Sequence, residues 1–350
     1  MEANICKMTR PRAAIITALA LEATAVERHL GDTREATQKG TIYRLGTFRG
    51  KLLWDVALVQ VGMHNVPAAA ETERAIAFFN PIVCMIVGVA GGLKDVKLGD
   101  VIAGTKAYSY EAGKDETAFK PRPEVAQSSY GLVQRANIVA REAKWISRIL
   151  GDTSVEPPSA YVGPIASGEK VVGAHSSATF GLLRQHYSDA LATEMEGYGF
   201  LLAATMNQPV QALAVRGISD LIDKKDAADE SGSQPRAANH AAAFAMEVLA
   251  SLNFGREPHS IPSREWFRNL ENVAIRLFSG GPNDRQIWSR AGGNPALLEI
   301  ERNAVAAWHS AVRTLELGGG GTDISPTSLV AAMLEEFPRN PELLDLIAQG

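Results

Sequence analysis

PIVCMIVGVAGGL, residues 81–93, is the most apolar segment of the chain. It is shorter than the about 20 apolar residues that a membrane-spanning helix needs. A β-branched run without polar alternation, closed by glycines, reads instead as a strand buried on both faces. Such a strand belongs in the middle of a largely parallel sheet with helices on either side. Upstream, AAIITAL (13–19) reads as a strand and LEATAVERHL (21–30) as its helix. TIYRLGTF (41–48) and LLWDVALVQVG (52–62) read as a pair of strands, and NVPAAAETERAIAFF (65–79) as a helix capped by Asn65 with Pro67 in its first turn.

Downstream the alternation continues to about residue 253. DVIAGTKAYSY (100–110) is a strand and GLVQRANIVAREAKWISRIL (131–150) a long amphipathic helix. AYVGPIASGEKVV (160–172) is a strand running into a loop, followed by helix SATFGLLRQHY (177–187). DALATEM (189–195) and PVQALAVRGISD (209–220) are strands around helix GYGFLLAATMN (197–207). After the polar loop LIDKKDAADESGSQPR (221–236), helix AANHAAAFAMEVLASL (237–252) closes an α/β unit. The stretch NFGREPHSIPSRE (253–265) has linker composition, and beyond it only helical spacing remains. Trp266, Phe267, Leu270, Val273, Ala274, Leu277 and Phe278 share one face, as do Val305, Trp308, Val312 and Leu315. Ser325 before Pro326 and Asn340 before Pro341 mark two further helix starts. The expected organisation is an α/β domain over 1–255, a linker at 256–263 and a small all-α domain over 264–350.

The balance of 35 basic against 39 acidic residues leaves no electrostatic footprint for nucleic acid or an anionic membrane. Cys6 and Cys84 have no metal-ligand spacing, which argues against a zinc site or a disulfide framework and suits a reducing cytoplasm. MEANICKMTRPR (1–12) lacks the apolar core of a signal peptide.

In open α/β sheets ligands gather at the carboxyl ends of strands, and three carboxylates stand at such ends. Glu22 follows the first strand, Glu196 follows DALATEM, and Asp220 ends VQALAVRGISD. Small or apolar approaches would desolvate each one and raise its pKa toward the range useful in acid–base chemistry. Taken singly, each has a structural alternative as a helix cap or the partner of an arginine. His175, His186 and His240 have no ligand-like partners at short spacing, and Trp266, Trp288 and Trp308 read as core.

Five stretches in order carry a resemblance: IITALALEATAV (15–26), IVGVAGGLKDVKLGDVI (86–102), GPIASGEKVV (163–172), ATEMEGYGFLLAA (192–204) and VQALAVRGISD (210–220). Together they resemble the nucleoside phosphorylase superfamily, most of all its nucleosidase branch, which includes the methylthioadenosine/S-adenosylhomocysteine nucleosidases. The resemblance implies a three-layer αβα fold around a mixed sheet, no cofactor or metal, a purine nucleoside or nucleotide as substrate, and a homo-oligomer. It places the water-activating glutamate at Glu22 and the donor of a proton to purine N7 at Asp220, beside Ser219. Glu196 falls where the family grips the ribose hydroxyls, with Met195 against the sugar, and Val171 and Val172 fall where backbone edges the base. By the same comparison Arg216 and Glu194 form a structural pair. Val89, Ala90 and Gly91 lie along the sugar or base, their glycine-rich run permitting close backbone approach; the family usually carries a small polar residue where Val89 stands.

The absence of a phosphorylase-type arginine near that run favours hydrolysis over phosphorolysis. VGMHNV (61–66) and SYEAGKDETAFKPRP (109–123) lie where the family accepts the 5′ substituent. They bring His64, Lys114, Lys120 and Arg122, either phosphate ligands or solvated loop charges, with Tyr108 just ahead of them; His64 has the alternative of reaching a neighbouring subunit. The tail, with WFRNLENVAIRLF (266–278), IWSRAGG (287–293), AVAAWHSAVRTLELGGGG (304–321) and LVAAMLEEFPRNPELLDLI (329–347), resembles the effector-associated domains of bacterial conflict systems. That implies a partner protein carrying the same module; the alternative is a plain helical appendage. The combined expectation is a cytoplasmic nucleosidase acting as a regulated effector on ATP or a relative. Its rivals are a constitutive salvage nucleosidase or phosphorylase, and a nucleotide sensor without catalysis.

Overall fold

The computed structural model describes residues 10–117, 119–151, 157–222, 232–253, 262–299, 301, 303–321 and 323–349. Cys6, most of the expected linker and most of the 221–236 loop lie outside them. The chain divides into two compact units between Asn253 and Phe254.

The first unit is built on twelve strands among the described residues: β1 (Arg12–Thr17), β2 (Gly31–Gln38), β3 (Thr41–Arg49), β4 (Leu53–Gln60), β5 (Val83–Gly92), β6 (Val101–Ser109), β7 (Gly113–Lys114), β8 (Lys120–Pro121), β9 (Glu124–Gln127), β10 (Ala160–Ser167), β11 (Ala192–Glu194) and β12 (Gln211–Leu221). The main sheet runs β11-β10-β6-β12-β5-β1-β4-β3-β2, with β9 on β6, while β7 and β8 form a separate hairpin. β4, β1, β5 and β12 are mutually parallel; β6 is antiparallel to β12 and parallel to β10. β11 also pairs antiparallel with the end of β5, Thr193 opposite Gly91. Strands β5, β12, β6, β10 and β11 therefore form a closed circuit, which brings chain ends running in opposite senses to one place.

Alternation along the central strands explains the layers. Val83, Met85 and Val87 of β5 join a core with α1 (Ala20–Glu27), α3 (Tyr130–Glu142) and α6 (Ser233–Ser251). Cys84 and Ile86 face the other way, into a core with α2 (Asn65–Phe79) and α5 (Gly197–Met206). A strand covered on both faces has no polar side to show, hence the uninterrupted apolar run. α4 (Ala178–His186) packs Leu183 into a smaller cluster with Tyr110 and Tyr187.

Two expectations are corrected, and one strand has no counterpart in the sequence reading. The long helix after β9 stops at Glu142, where Ala143 turns left-handed (φ 55°) and a short 3-10 helix lays Trp145 against Phe244. Asn65 is not the cap of α2: His64 holds that position, and the Asn65 side chain bonds elsewhere. β2, GDTREATQ, is an extra edge strand whose exposed polar residues carry no periodic signal.

In the second unit α7 (Arg264–Leu277), α8 (Ile287–Arg290), α9 (Ala304–Glu316), α10 (Pro326–Glu336) and α11 (Pro341–Gln349) enclose Trp266, Phe278, Trp288, Trp308 and Met333. Two indole N–H groups are satisfied by carbonyls, Trp308 to Phe278 at 2.9 Å and Trp266 to Leu346 at 3.0 Å. Ser325 and Asn340 accept from the backbone of Ser328 and Leu343, the cap bonds expected of them.

Gly217 of β12 lies so close to α6 that a Cβ there would fall on the backbone of Ala237. Backbone cannot rotate away as a side chain can, so Gly217→Ala is expected to destabilise the protein by about 3 kcal/mol, at the upper end of overpacking costs. Gly181→Ala, in the open space around α4, should be neutral or stabilise by up to about 1 kcal/mol. Urea midpoints of the two variants against the unmodified chain check the contrast.

Candidate active site

A cavity of about 320 Å³ opens where the strand circuit closes. Its chemistry is organised around Arg216 of β12, whose side chain has no exposed surface. Arg216 Nη2 donates to Glu194 Oε2 and, at 3.1 Å, to Glu196 Oε2. Glu194 Oε2 also accepts the N–H groups of Glu196 (3.0 Å) and Gly197 (2.7 Å), fixing the turn from β11 into α5. Among the described residues Arg216 Nη1 has no hydrogen-bond partner, and it lies beside the Glu22 carboxylate, both crowding the position that a Cβ on Gly88 would take. Burial works against the guanidinium charge, and the carboxylates of Glu194, Glu196 and Glu22 outweigh it, leaving the Arg216 pKa raised.

The three carboxylates singled out in the sequence all line this cavity, each held differently. Glu22 reaches back to the start of its own helix: Oε2 accepts from the Ala18 and Leu19 N–H groups, both at 2.8 Å, and Oε1 accepts from Val89 N–H at 2.8 Å. Burial nevertheless raises its pKa, against the pull of Arg216 and these amides. Glu196 Oε1 accepts from the His64 N–H at 3.2 Å. Burial pushes its pKa up to about 7; Arg216 opposes the rise, and the neighbouring Glu194 and Glu22 reinforce it. Asp220 follows a slip in the β12–β5 register, Ile218 opposite Ala90 and Asp220 opposite Gly91, which leaves Ser219 as the extra residue. Ser219 Oγ donates to Asp220 Oδ2 at 3.0 Å, and a Cβ on Gly91 would sit 3.1 Å from Asp220 Oδ1.

Met195, Ser219, Val89 and Ala90 also line the cavity, as do Gly91, Val171 and Val172. The glycines do more than expected: Gly88 leaves room for Arg216 and Glu22, and Gly91 for Asp220. The remaining expected residues are not brought into the wall. His64 contributes its N–H, while its imidazole Nδ1 stands 2.9 Å from Glu169 Oε2 without hydrogen-bond alignment. The Tyr108 hydroxyl donates to Asp189 at 2.8 Å. Lys114 and Lys120, on the β7–β8 hairpin, both pair with Glu116, and Arg122 is likewise absent from the cavity wall. The 5′-phosphate role expected of these three cations therefore has no support from the cavity of the single chain.

Sequence reasoning passed over Met63, Thr193, Lys170 and Gln234, which do line it. Lys170 stood inside the quoted GEKVV stretch and Met63 beside His64, so adjacency was the available signal. Lys170 Nζ lies 3.2 Å from Glu111 Oε1. Among the described residues no group of three or more His, Cys, Asp or Glu is arranged to hold a metal, and no helix is long and apolar enough to cross a membrane.

The chain is 28% identical over 214 residues to a 5′-methylthioadenosine/S-adenosylhomocysteine nucleosidase of Staphylococcus epidermidis, covering 60% of this chain and 87% of that protein. It is 31% identical over 176 residues to the ATP nucleosidase Cap17 of Escherichia coli, covering 45% of this chain but 34% of that protein. The solved structure of the 5′-methylthioadenosine/S-adenosylhomocysteine nucleosidase of Neisseria meningitidis, in complex with methylthio-immucillin-A, aligns with a TM-score of 0.57 at 22% identity, over 69% of this chain and 99% of that one. Residues 260–350 match the family model of effector-associated domain 1. The phosphorylase superfamily model matches residues 12–250, which hold every carboxylate of the cavity, and the chain belongs to that superfamily.

Proposed function

We propose that the chain is a purine nucleosidase, hydrolysing the N-glycosidic bond of an adenine nucleoside or nucleotide. The observation that carries this reading is the convergence of Glu22, Glu196 and Asp220, three buried carboxylates held in different environments, on one cavity. Cleavage of such a bond passes through an oxocarbenium-like sugar and needs a base, an acid and nearby anions. Glu22, held by three amides, takes a proton from the attacking water as its oxygen bonds to C1′. The C1′–N9 bond breaks with its electron pair leaving on the purine, and Asp220 supplies the proton to N7. Glu196 receives the ribose hydroxyls opposite Arg216. The products are free base and ribose, or its phosphate.

Hydrolysis is preferred to phosphorolysis because Arg216 is buried and committed to Glu194 and Glu196. Glu22 and Glu194, with Glu196 when ionised, would repel a phosphate dianion at the sugar. Two observations support ATP or a relative as substrate in a regulated effector acting against phage: the similarity to an ATP nucleosidase and the effector-associated match of the tail. In this reading the tail joins a partner carrying the same module. The cavity itself favours a second reading, a salvage nucleosidase for an uncharged nucleoside, because Lys170 is the one cation in its described wall. Base release measured by chromatography from adenosine, methylthioadenosine, AMP, ATP, NAD and guanosine counterparts, with and without phosphate, separates the two. Release from ATP supports the effector; release from uncharged nucleosides alone supports salvage.

Asp220→Asn and Glu22→Gln are each expected to slow base release by at least about 100-fold, the lower range for loss of a general acid or base. Circular dichroism and the melting temperature distinguish that loss from unfolding. Retention of full activity by either variant would remove its residue from the mechanism.

The pH dependence follows from the same environments. Glu22 must be ionised to accept a proton, and burial raises its pKa; Glu196 ionises near 7 and serves the diol best as a carboxylate. kcat/KM is therefore expected to rise with pH along an acid limb lying above the ordinary glutamate range, shared by the two groups. Glu22→Gln should move that limb, and an acid limb at the ordinary glutamate value would contradict the assignment.

A further inference from the structure

Asn65 is absent from the cavity wall, yet its side chain ties together three segments that are part of it. Oδ1 accepts from the Ser167 hydroxyl at 2.9 Å and from the Gly199 N–H at 2.8 Å. Nδ2 donates to the Gly168 carbonyl at 3.2 Å and to Glu169 Oε1 at 3.1 Å. All four hydrogen-bonding positions of the amide are used, and the partners dictate its identity. Gly199 N–H only donates and the Gly168 carbonyl only accepts, so one end must be an oxygen and the other an N–H₂. An aspartate would have the same shape but would set a carboxylate against a carbonyl and against Glu169.

The three tied segments have separate tasks. Asn65 follows Met63 and His64, whose N–H reaches Glu196. Gly168 and Glu169 lead into Lys170, Val171 and Val172 of the cavity wall. Gly199 lies in the first turn of α5, three residues after Glu196, and packs so closely on the Asn65 backbone that a Cβ would overlap it. Ser167 extends the tie by accepting from the Tyr198 N–H at 3.1 Å. His64 itself is held at φ 88°, ψ 152°, a conformation that non-glycine residues adopt only under constraint from their surroundings. The bonds of Asn65 to two other segments supply that constraint next in the chain.

We infer that Asn65 is a positioning residue: through the His64 N–H and the start of α5 it sets the Glu196 carboxylate against the sugar, in register with the wall that edges the base. The inference rests on the nucleosidase reading for the role of Glu196, but the tie itself is a property of the free protein. Asn65→Asp and Asn65→Ala test it, with Glu196→Gln as reference. The first readout is hydrogen–deuterium exchange of the free protein. Faster exchange in all three segments, 62–66, 168–172 and 196–200, is expected, and a change confined to the first would overturn the coupling. The second is the ratio of kcat/KM for the best ribosyl substrate to that for its 2′-deoxy counterpart. Misplacing Glu196 should lower the ratio roughly tenfold in the Asn65 variants, and no further when they are combined with Glu196→Gln. A merely structural role would slow both substrates alike, and an unchanged ratio overturns the inference. Base release from neither substrate by the unmodified protein would count against the nucleosidase reading, while the exchange result would still decide the tie.

Discussion

The Arg216 guanidinium, buried between Glu194, Glu196 and Glu22, is the constraint around which the first unit is arranged. Moving a charge out of water costs several kcal/mol even after relaxation, and one cation cannot compensate three carboxylates. The deficit is met by backbone amides, three on Glu22, two on Glu194 and one on Glu196. It is also met by protonation, since Glu196 titrates near neutrality. Those amides come from the ends of β1 and β5, the turn into α5 and the entrance to α2. Satisfying the charges therefore requires four connections to lie where they do, and the cavity is the space enclosed between them.

Much of this was legible because burial on both faces leaves a strong signal. β1, β5 and β12 read as apolar runs, and Glu22, Glu196 and Asp220 were visible as carboxylates at strand ends. What could not be read was geometry between distant segments. β11 contributes three residues to the ladder, too few for any periodicity, yet its pairing with β5 closes the circuit that brings Glu196 to the other two carboxylates. Asn65 before a proline-containing first turn has the form of a helix cap; only the folded chain shows its amide turned toward Gly168 and Gly199. The cations at 114, 120 and 122 looked available for phosphate because sequence does not reveal that Glu116 engages two of them.

The glycines show how charge and chain geometry act on each other. A glycine-rich turn beside a ligand site is ordinarily read as room for the ligand. Here Gly88 is small because Arg216 and Glu22 occupy the space beside it, and Gly197 because a Cβ would stand 2.8 Å from Glu194 Oε1. Glycine in a strand interior costs roughly 0.5–1 kcal/mol relative to alanine. That cost is small beside the penalty of leaving a buried guanidinium unpaired, which is about 3–5 kcal/mol when one partner is removed. The magnitudes favour the glycines as part of the charge cluster rather than as a separate recognition element.

The same cluster restricts what the cavity can accept. In the proposed mechanism the carboxylates of Glu22, Glu194 and Glu196 attract a developing oxocarbenium and repel phosphate, so the electrostatics that would speed hydrolysis also disfavour phosphorolysis. Were the proposed substrate a nucleotide, its phosphates would have to lie away from that cluster, and Lys170, already near Glu111, is the one cation in the described wall to receive them. Coulomb repulsion falls with distance and is screened once a group reaches solvent, so it is strongest for groups close to the buried carboxylates. A chain of phosphates leading outward from the sugar therefore meets less opposition than a single phosphate placed beside C1′. In the proposed mechanism the charge of the cavity thus bears more strongly on the attacking group than on the 5′ end, and both readings of the substrate share one catalytic arrangement.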